Sequence, residues 1–120
     1  MTDQPDHLIE EYYSLHPVSF TFVEDFHVRQ VRKSKSDAYE VYLDMELRHQ
    51  NAEDSRHLIL SFQGVRNIRF TPPTRMIIQM IHLEITSIRA NGWEGINYDV
   101  RETENDTLSF SCEGFTAEVR

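Results

Sequence analysis

Strict alternation of apolar and polar residues between positions 39 and 49 limits what this chain can fold into more than any other feature. The apolar positions Val41, Leu43, Met45 and Leu47 alternate with the polar positions Glu40, Tyr42, Asp44, Glu46 and Arg48. Successive side chains of a strand point to opposite faces of a sheet. The pattern therefore predicts an antiparallel strand with one buried face and one face in water.

A second alternating run, at Leu58, Leu60 and Phe62, follows a polar loop at residues 50–55. One register places every apolar residue of both runs on the same face, with the pairs Leu47–Leu58, Met45–Leu60 and Leu43–Phe62. A slip of one residue would place Met45 opposite Ser61 and lose the apolar contact. The two runs are therefore predicted to form a hairpin in this register.

The residues before this hairpin predict a short helix and a bulged strand. Apolar residues spaced by three and four predict an amphipathic helix from Asp6 to His16, with Asp6 as its N-cap and Pro17 as its end. Residues 1–6 are expected to be frayed. Residues 18–32 alternate with one slip of phase at Glu24-Asp25, which predicts a strand, a bend or bulge, and a second strand.

The segment after the hairpin is predicted to be entirely β. Residues 76–89 fit either a helix or a strand, and their content of isoleucine and threonine favours a strand. The carboxyl-terminal third is predicted to be a three-strand meander. Its last turn, Glu113-Gly114, is either a hairpin or a bulge in one long strand, and the hairpin register would be Cys112–Phe115, Phe110–Ala117 and Leu108–Val119.

These elements predict a single domain over residues 1–120. The expected fold is mostly β: an antiparallel sandwich or a curved, partly closed sheet of seven or eight strands, with a short amino-terminal helix. A single cysteine excludes an internal disulfide. Because Cys112 shares the phase of Phe110, we expect it to be a buried, unreactive thiol and not a nucleophile.

No motif in the sequence indicates catalysis, a cofactor or a metal. The net charge of −8 argues against nucleic acid as the main partner. The basic residues Arg29, Arg32, Lys33 and Lys35 indicate a solvated strand end. The longest apolar run, Met76-Ile77-Ile78, is too short to span a membrane, and the acidic amino terminus does not resemble a signal peptide. We therefore expect a cytoplasmic, non-enzymatic protein.

The carboxyl-terminal meander is the most acidic part of the chain. Between Glu94 and Glu118 there are seven carboxylates and one basic residue, Arg101. The carboxylates predicted to lie in exposed turns are Glu94, Glu102, Glu104 and Asp106. Charges at exposed sites contribute about 0–1 kcal/mol each to folding, but they can attract a basic partner. These residues, together with Trp93 in its glycine-flanked loop, are the predicted partner-binding site.

Two sequence runs resemble those of a known family. Leu60-Ser61-Phe62-Gln63-Gly64-Val65-Arg66-Asn67-Ile68 resembles a strand of small bacterial immunity proteins from polymorphic toxin systems, and so do Leu108–Cys112 followed by Phe115–Val119. The segment Glu24-Asp25-Phe26-His27-Val28 is a looser match. The resemblance extends over residues 18–119. It implies a small β-rich, non-catalytic protein that binds and neutralises a toxin, and it identifies no functional residues.

The leading hypothesis is therefore a cytoplasmic protein-binding module, an immunity-type inhibitor of a basic toxin domain. One alternative is a small-molecule-binding β-barrel, or an enzyme, with a cavity lined by His27, Tyr42 or Tyr98. A large cavity with convergent polar groups would favour this alternative. A further alternative is an oligomeric scaffold subunit assembled through edge strands.

Overall fold

A computed structural model describes residues 6–33, 38–71, 82–89 and 96–120. Eight strands form two four-stranded antiparallel sheets, which we call sheet A, with strand order β1-β2-β3-β8, and sheet B, with order β4-β7-β6-β5. The elements are α1 (His7–Ser14), a 3₁₀ turn (Pro17–Ser19), β1 (Phe20–Arg32), β2 (Tyr39–His49), β3 (His57–Gln63), β4 (Arg66–Phe70), β5 (Leu83–Ser87), β6 (Tyr98–Glu102), β7 (Leu108–Cys112) and β8 (Gly114–Val119). The predicted mostly β fold of seven or eight antiparallel strands with a short amino-terminal helix is confirmed, and of the two architectures left open the structure has the two-sheet one, with no closure into a barrel.

The amino-terminal helix begins where its capping residue predicts. The Asp6 carboxylate accepts the backbone N–H groups of Leu8 and Ile9, which have no partner within the helix. Asp6 falls in the stretch expected to be frayed, yet it also accepts a hydrogen bond from the Tyr98 hydroxyl at 2.8 Å. The helix thus starts on a residue tied to sheet B.

Sheet A confirms the hairpin register predicted between β2 and β3. Leu47 lies opposite Leu58, and Met45 lies opposite Leu60. The slip of phase at Glu24-Asp25 is a bulge within one long strand: the pairing of β1 with β2 shifts between Val23 and Asp25. Sheet A therefore has one apolar face toward sheet B and one polar face outward.

Of the two alternatives predicted at Glu113-Gly114, the hairpin between β7 and β8, and with it the three-strand meander, is wrong. Strand β7 pairs with β4 and β6 in sheet B, whereas β8 pairs with β3 in sheet A, with Phe115 opposite Phe62. The chain passes from one sheet to the other at Glu113, as strands do at the corners of sandwiches. The break at Glu113 shifts the alternation by one residue, so the apolar side chains of β7 and β8 face the same core. The chain does not reverse direction there.

Two glycines allow a close approach at this corner. Gly64 has φ +62°, in the left-handed region, and a β-carbon there would lie 2.5 Å from Cγ of Glu113. A β-carbon on Gly114 would lie 2.8 Å from Nε2 of Gln63. A side chain at Gly64 would displace Glu113 and strain the backbone, whereas at Gly114 it would displace only the flexible end of the Gln63 side chain.

The core lies between the sheets and is closed at one side by α1. Aromatic rings cross the interface, with Phe62 and Phe110 edge to face at 4.8 Å between ring centroids. Fully buried Tyr12 of α1 donates a hydrogen bond from its hydroxyl to the Leu83 carbonyl of β5. The predictions for residues 76–81, Lys35, Trp93 and Glu94 lie outside the described residues.

Candidate protein-binding surface

The acidic residues of the carboxyl-terminal meander do not share one surface. Glu104 and Asp106 are exposed in the turn after β6. Asp99 projects from sheet B and lies 3.5 Å from Arg101. Glu118 belongs to sheet A, where it pairs with Arg120 at 2.6 Å. These charges were predicted to form one surface because they are close along the chain. In the structure, strand alternation and the change of sheet separate them.

Glu102 corrects the prediction of an exposed turn carboxylate. Its side chain is fully buried. The two carboxylate oxygens accept backbone N–H groups from Glu104, Asn105 and Thr107, at 3.0, 2.9 and 3.2 Å. The carboxylate thus satisfies the backbone of the turn from within. Glu102 holds Glu104 and Asp106 in place, and it is not available to a partner.

The outward side of sheet A is a broad polar surface. Its members alternate along each strand with the buried apolar residues, and neighbouring strands present them in register. We call this surface the outer face; it consists of Glu24, Asp25, His27, Arg29, Glu40, Tyr42, Asp44, Glu46, Arg48, His57, Ile59, Ser61, Gln63, Thr116, Glu118 and Arg120. Six of these residues are carboxylates and three are arginines, so the outer face is acidic, as is the chain as a whole.

A groove of about 280 Å³ crosses the middle of the outer face. Asp25 and Glu46 are directly opposite each other on β1 and β2, and both line it. Nδ1 of His57 lies 2.7 Å from Oε1 of Glu46, and Arg120 and Ile59 are also part of the wall. Asp25 is exposed and makes no ion pair with the described residues. Asp44 also lines the groove, so three carboxylates border it, and Asp25 is the one without an ion pair among the described residues.

A hydrogen-bonded row fixes the side chains beside the groove. Asp44 accepts a bond from the Ser61 hydroxyl at 2.6 Å and one from Nε of Arg29 at 2.9 Å. Partial burial would raise the pKa of Asp44, but these two bonds and the Arg29 charge outweigh it and hold the pKa below its ordinary value. The Arg29 guanidinium also lies over the Tyr42 ring, 4.5 Å from its centroid. Two hydrogen bonds thus hold the Asp44 carboxylate, which is ionised at neutral pH.

The described residues do not form the cavity of the small-molecule alternative. Of the three side chains proposed to line it, Tyr98 is fully buried in the core and His27 is exposed. Tyr42 lines a second groove of only about 120 Å³. Ligand pockets are usually concave, mostly apolar and about 300–1,000 Å³. The larger groove falls just below this range, and five of its eight lining residues have ionisable side chains, which suits contact with a charged protein side chain.

Sequence reasoning found part of the outer face and missed the groove. The alternation of β2 put Asp44 and Glu46 on one polar face, and the predicted register put His57 beside Arg48. Asp25 was missed because the bulge decides which side chains of β1 share that face. Arg120 was missed because β8 was assigned to the wrong neighbour. The slip of phase at Glu24-Asp25 was the one signal that could have placed Asp25.

The thiol of Cys112 is expected to be unreactive in the folded protein. It is fully buried, and burial raises its pKa from 9.0 to about 12, with smaller contributions from Asp99 and Glu113. Since the folded pKa is the higher one, burial stabilises the fold below pH 9 and this contribution is lost as the pH rises toward 12. A thiol reagent at pH 8 should label the native chain much more slowly than the unfolded chain. Labelling at similar rates would contradict this, and Cys112→Ala should cost about 1 kcal/mol.

Comparison with known proteins gives one match that covers nearly the whole chain. A family model described as Immunity protein PIM8 matches residues 4–118. No curated protein and no solved structure matches the sequence. Within the described residues, no three His, Cys, Asp or Glu side chains are grouped to hold a metal ion, and no helix is long and apolar enough to cross a membrane.

Proposed function

Since the chain belongs to the PIM8 family of immunity proteins, we propose that it is a non-catalytic inhibitor that binds a toxin protein and blocks its activity. The family match over residues 4–118 is the observation that carries this proposal. Inhibition by binding requires a rigid, accessible surface and no catalytic group. We place this binding in the cytoplasm, where a toxin would act on the cell that makes the inhibitor.

The toxin is proposed to be basic and to contact the outer face of sheet A. The net charge of −8 favours a cationic partner, because complementary charge accelerates encounter and excludes like-charged proteins. The outer face supplies six carboxylates, which lie on β1, β2 and β8. Its central groove can receive one long side chain, with Asp25 and Glu46 placed to pair with a lysine or an arginine.

The acidic turn after β6 is the second candidate contact. Glu104 and Asp106 are exposed there, and both belong to the site predicted from the sequence. The turn offers two charges on a short segment, whereas the outer face offers a groove and a wider area. We therefore assign the main contact to the outer face. A contact at the turn is the alternative, and comparing Glu46→Lys with Glu104→Lys distinguishes the two.

Co-expression with the toxin encoded beside this chain's gene tests the proposed function. Cells that express the toxin alone should stop growing, and cells that also express this chain should grow normally. The purified proteins should form a 1:1 complex by size-exclusion chromatography with light scattering. Loss of growth despite abundant folded inhibitor, together with no complex, would exclude the neighbouring toxin as the partner and remove the proposed function.

A further inference from the structure

Strand β1 is the one long sheet edge that the described residues leave open. It has 13 residues and lies at the end of sheet A. Its two irregularities fall before Asp25, so its pairing with β2 is regular from Asp25 to Arg32. An open, regular edge of this length is a template for pairing with another strand.

The edges on the other side of the sandwich are covered by α1. The Tyr12 hydroxyl donates to the Leu83 carbonyl at 2.5 Å, and the Tyr13 hydroxyl bonds with both the N–H and the carbonyl of Ile85, at 3.2 and 3.4 Å. These contacts occupy the edge of β5. The same helix packs on β8, the far edge of sheet A. Helix α1 therefore covers two of the four sheet edges, those of β5 and β8.

The fourth edge, β4, is short. It has five residues, and its pairing with β7 shifts between Arg66 and Arg69. A short, irregular edge is a poor template for a second strand. Among the described strands, β1 alone therefore combines length, regularity and an uncovered edge.

The backbone groups that face outward from β1 can be identified. In an antiparallel ladder, residues that bond to the partner alternate with residues that point away from it. The Lys33 N–H bonds to the Ala38 carbonyl, so Lys33 points toward β2. By alternation, Phe26, Val28 and Gln30 direct their N–H and carbonyl groups to the open side.

A second observation agrees with this assignment. Gln30 lies opposite Val41, and the Val41 carbonyl points away from β1 to accept the N–H of Val65. Members of such a pair point away from each other. Val28 is therefore the middle one of the three residues whose backbone N–H and carbonyl groups point to the open side, and its side chain is 46% exposed.

The charges along this edge fit a second copy of the chain. Asp25, near the middle of β1, is an exposed carboxylate, and Lys33, just after its last residue, is an exposed ammonium group. Two such strands running antiparallel about a twofold axis near Val28 place Asp25 of each copy near Lys33 of the other. A basic toxin strand would meet Lys33 unfavourably. We propose that β1 pairs with β1 of a second copy to form a homodimer with a continuous eight-stranded sheet.

Replacing Val28 with proline tests this pairing on the full-length chain. Proline removes an N–H that the β1–β2 ladder does not use, and edge strands tolerate it at such positions. The wild type should dimerise with concentration in sedimentation equilibrium. Val28→Pro should raise the dimer dissociation constant at least 10-fold. The matched variant Val28→Thr keeps the N–H and the β-branched shape, and it should dimerise like the wild type.

A charge variant keeps the proposal falsifiable if Val28→Pro fails to fold, which its circular dichroism spectrum would reveal. Lys33→Glu should also weaken the dimer, because it repels Asp25 of the second copy. The dimer is excluded if the wild type stays monomeric up to about 1 mM, or if Val28→Pro dimerises like the wild type. A wild-type monomer whose binding to the toxin is abolished by Val28→Pro would assign the edge to the toxin instead. Toxin protection without any dimer would overturn this inference and leave the proposed function standing.

Discussion

Replacing Glu102 with glutamine is expected to lower the free energy of unfolding by about 2–4 kcal/mol. The buried carboxylate accepts three backbone N–H groups, and an amide offers one oxygen in place of two. At least one N–H then loses its partner, and the amide NH₂ group faces other donors. In a chain of 120 residues this loss corresponds to a melting temperature lower by roughly 10 °C.

Glu104→Gln is the matched control for this experiment. It removes the same charge two residues away, from a side chain that is exposed. Its melting temperature should change by no more than a degree or two, since exposed charges contribute about 0–1 kcal/mol. Thermal unfolding followed by circular dichroism measures both variants. Equal, small effects would show that the turn does not depend on the Glu102 carboxylate.

Replacing Glu46 with lysine is expected to weaken toxin binding 10- to 100-fold, which is about 1.4–2.7 kcal/mol. Glu46 stands at the centre of the groove, and a lysine there would repel an incoming cation and neutralise Asp25 opposite. The association rate should fall, and its dependence on salt should become flatter. Surface plasmon resonance at two salt concentrations measures all three quantities.

Glu104→Lys makes the same change in net charge away from the outer face. If the outer face is the contact, this variant should bind nearly as tightly as the wild type. The reverse result, with Glu104→Lys impaired and Glu46→Lys unaffected, would move the contact to the turn after β6. Both variants should melt within a few degrees of the wild type, because both positions are at least partly exposed.

The pairing of two neighbouring strands could be predicted from the sequence where only one register places apolar residues opposite each other. Between β2 and β3, only one pairing puts Leu43, Met45 and Leu47 against apolar partners, and the structure has that pairing. Alternation tells which face of a strand is buried, but it does not tell which strand lies beside it. The pairs proposed for β7 and β8 were all apolar, yet β3 offered Phe115 an equally apolar partner in Phe62.

The burial of Glu102 was missed although the sequence contains a signal for it. Tyr98, Val100 and Glu102 share one phase of β6, and the first two are core residues. The alternation of β6 therefore predicts that the Glu102 side chain points inward. The charge of the side chain predicts the opposite, because a carboxylate leaves water only where it is hydrogen-bonded. The donors that make this possible come from the backbone of the turn, and a residue-type pattern does not reveal them.

The passage of the chain between sheets at Glu113 has a consequence for the order of folding during synthesis. Strands β1, β2 and β3 are consecutive and pair by local hairpins, so they can form a meander before the rest of the chain leaves the ribosome. The other side of β3 stays unpaired until β8, at residues 114–119, has been synthesised. Until then the edge of β3 is open, and Tyr12 has no Phe115 to pack on. A chain that lacks β8 is thus prone to aggregate through the open edge of β3, and truncation before residue 114 should yield an insoluble product.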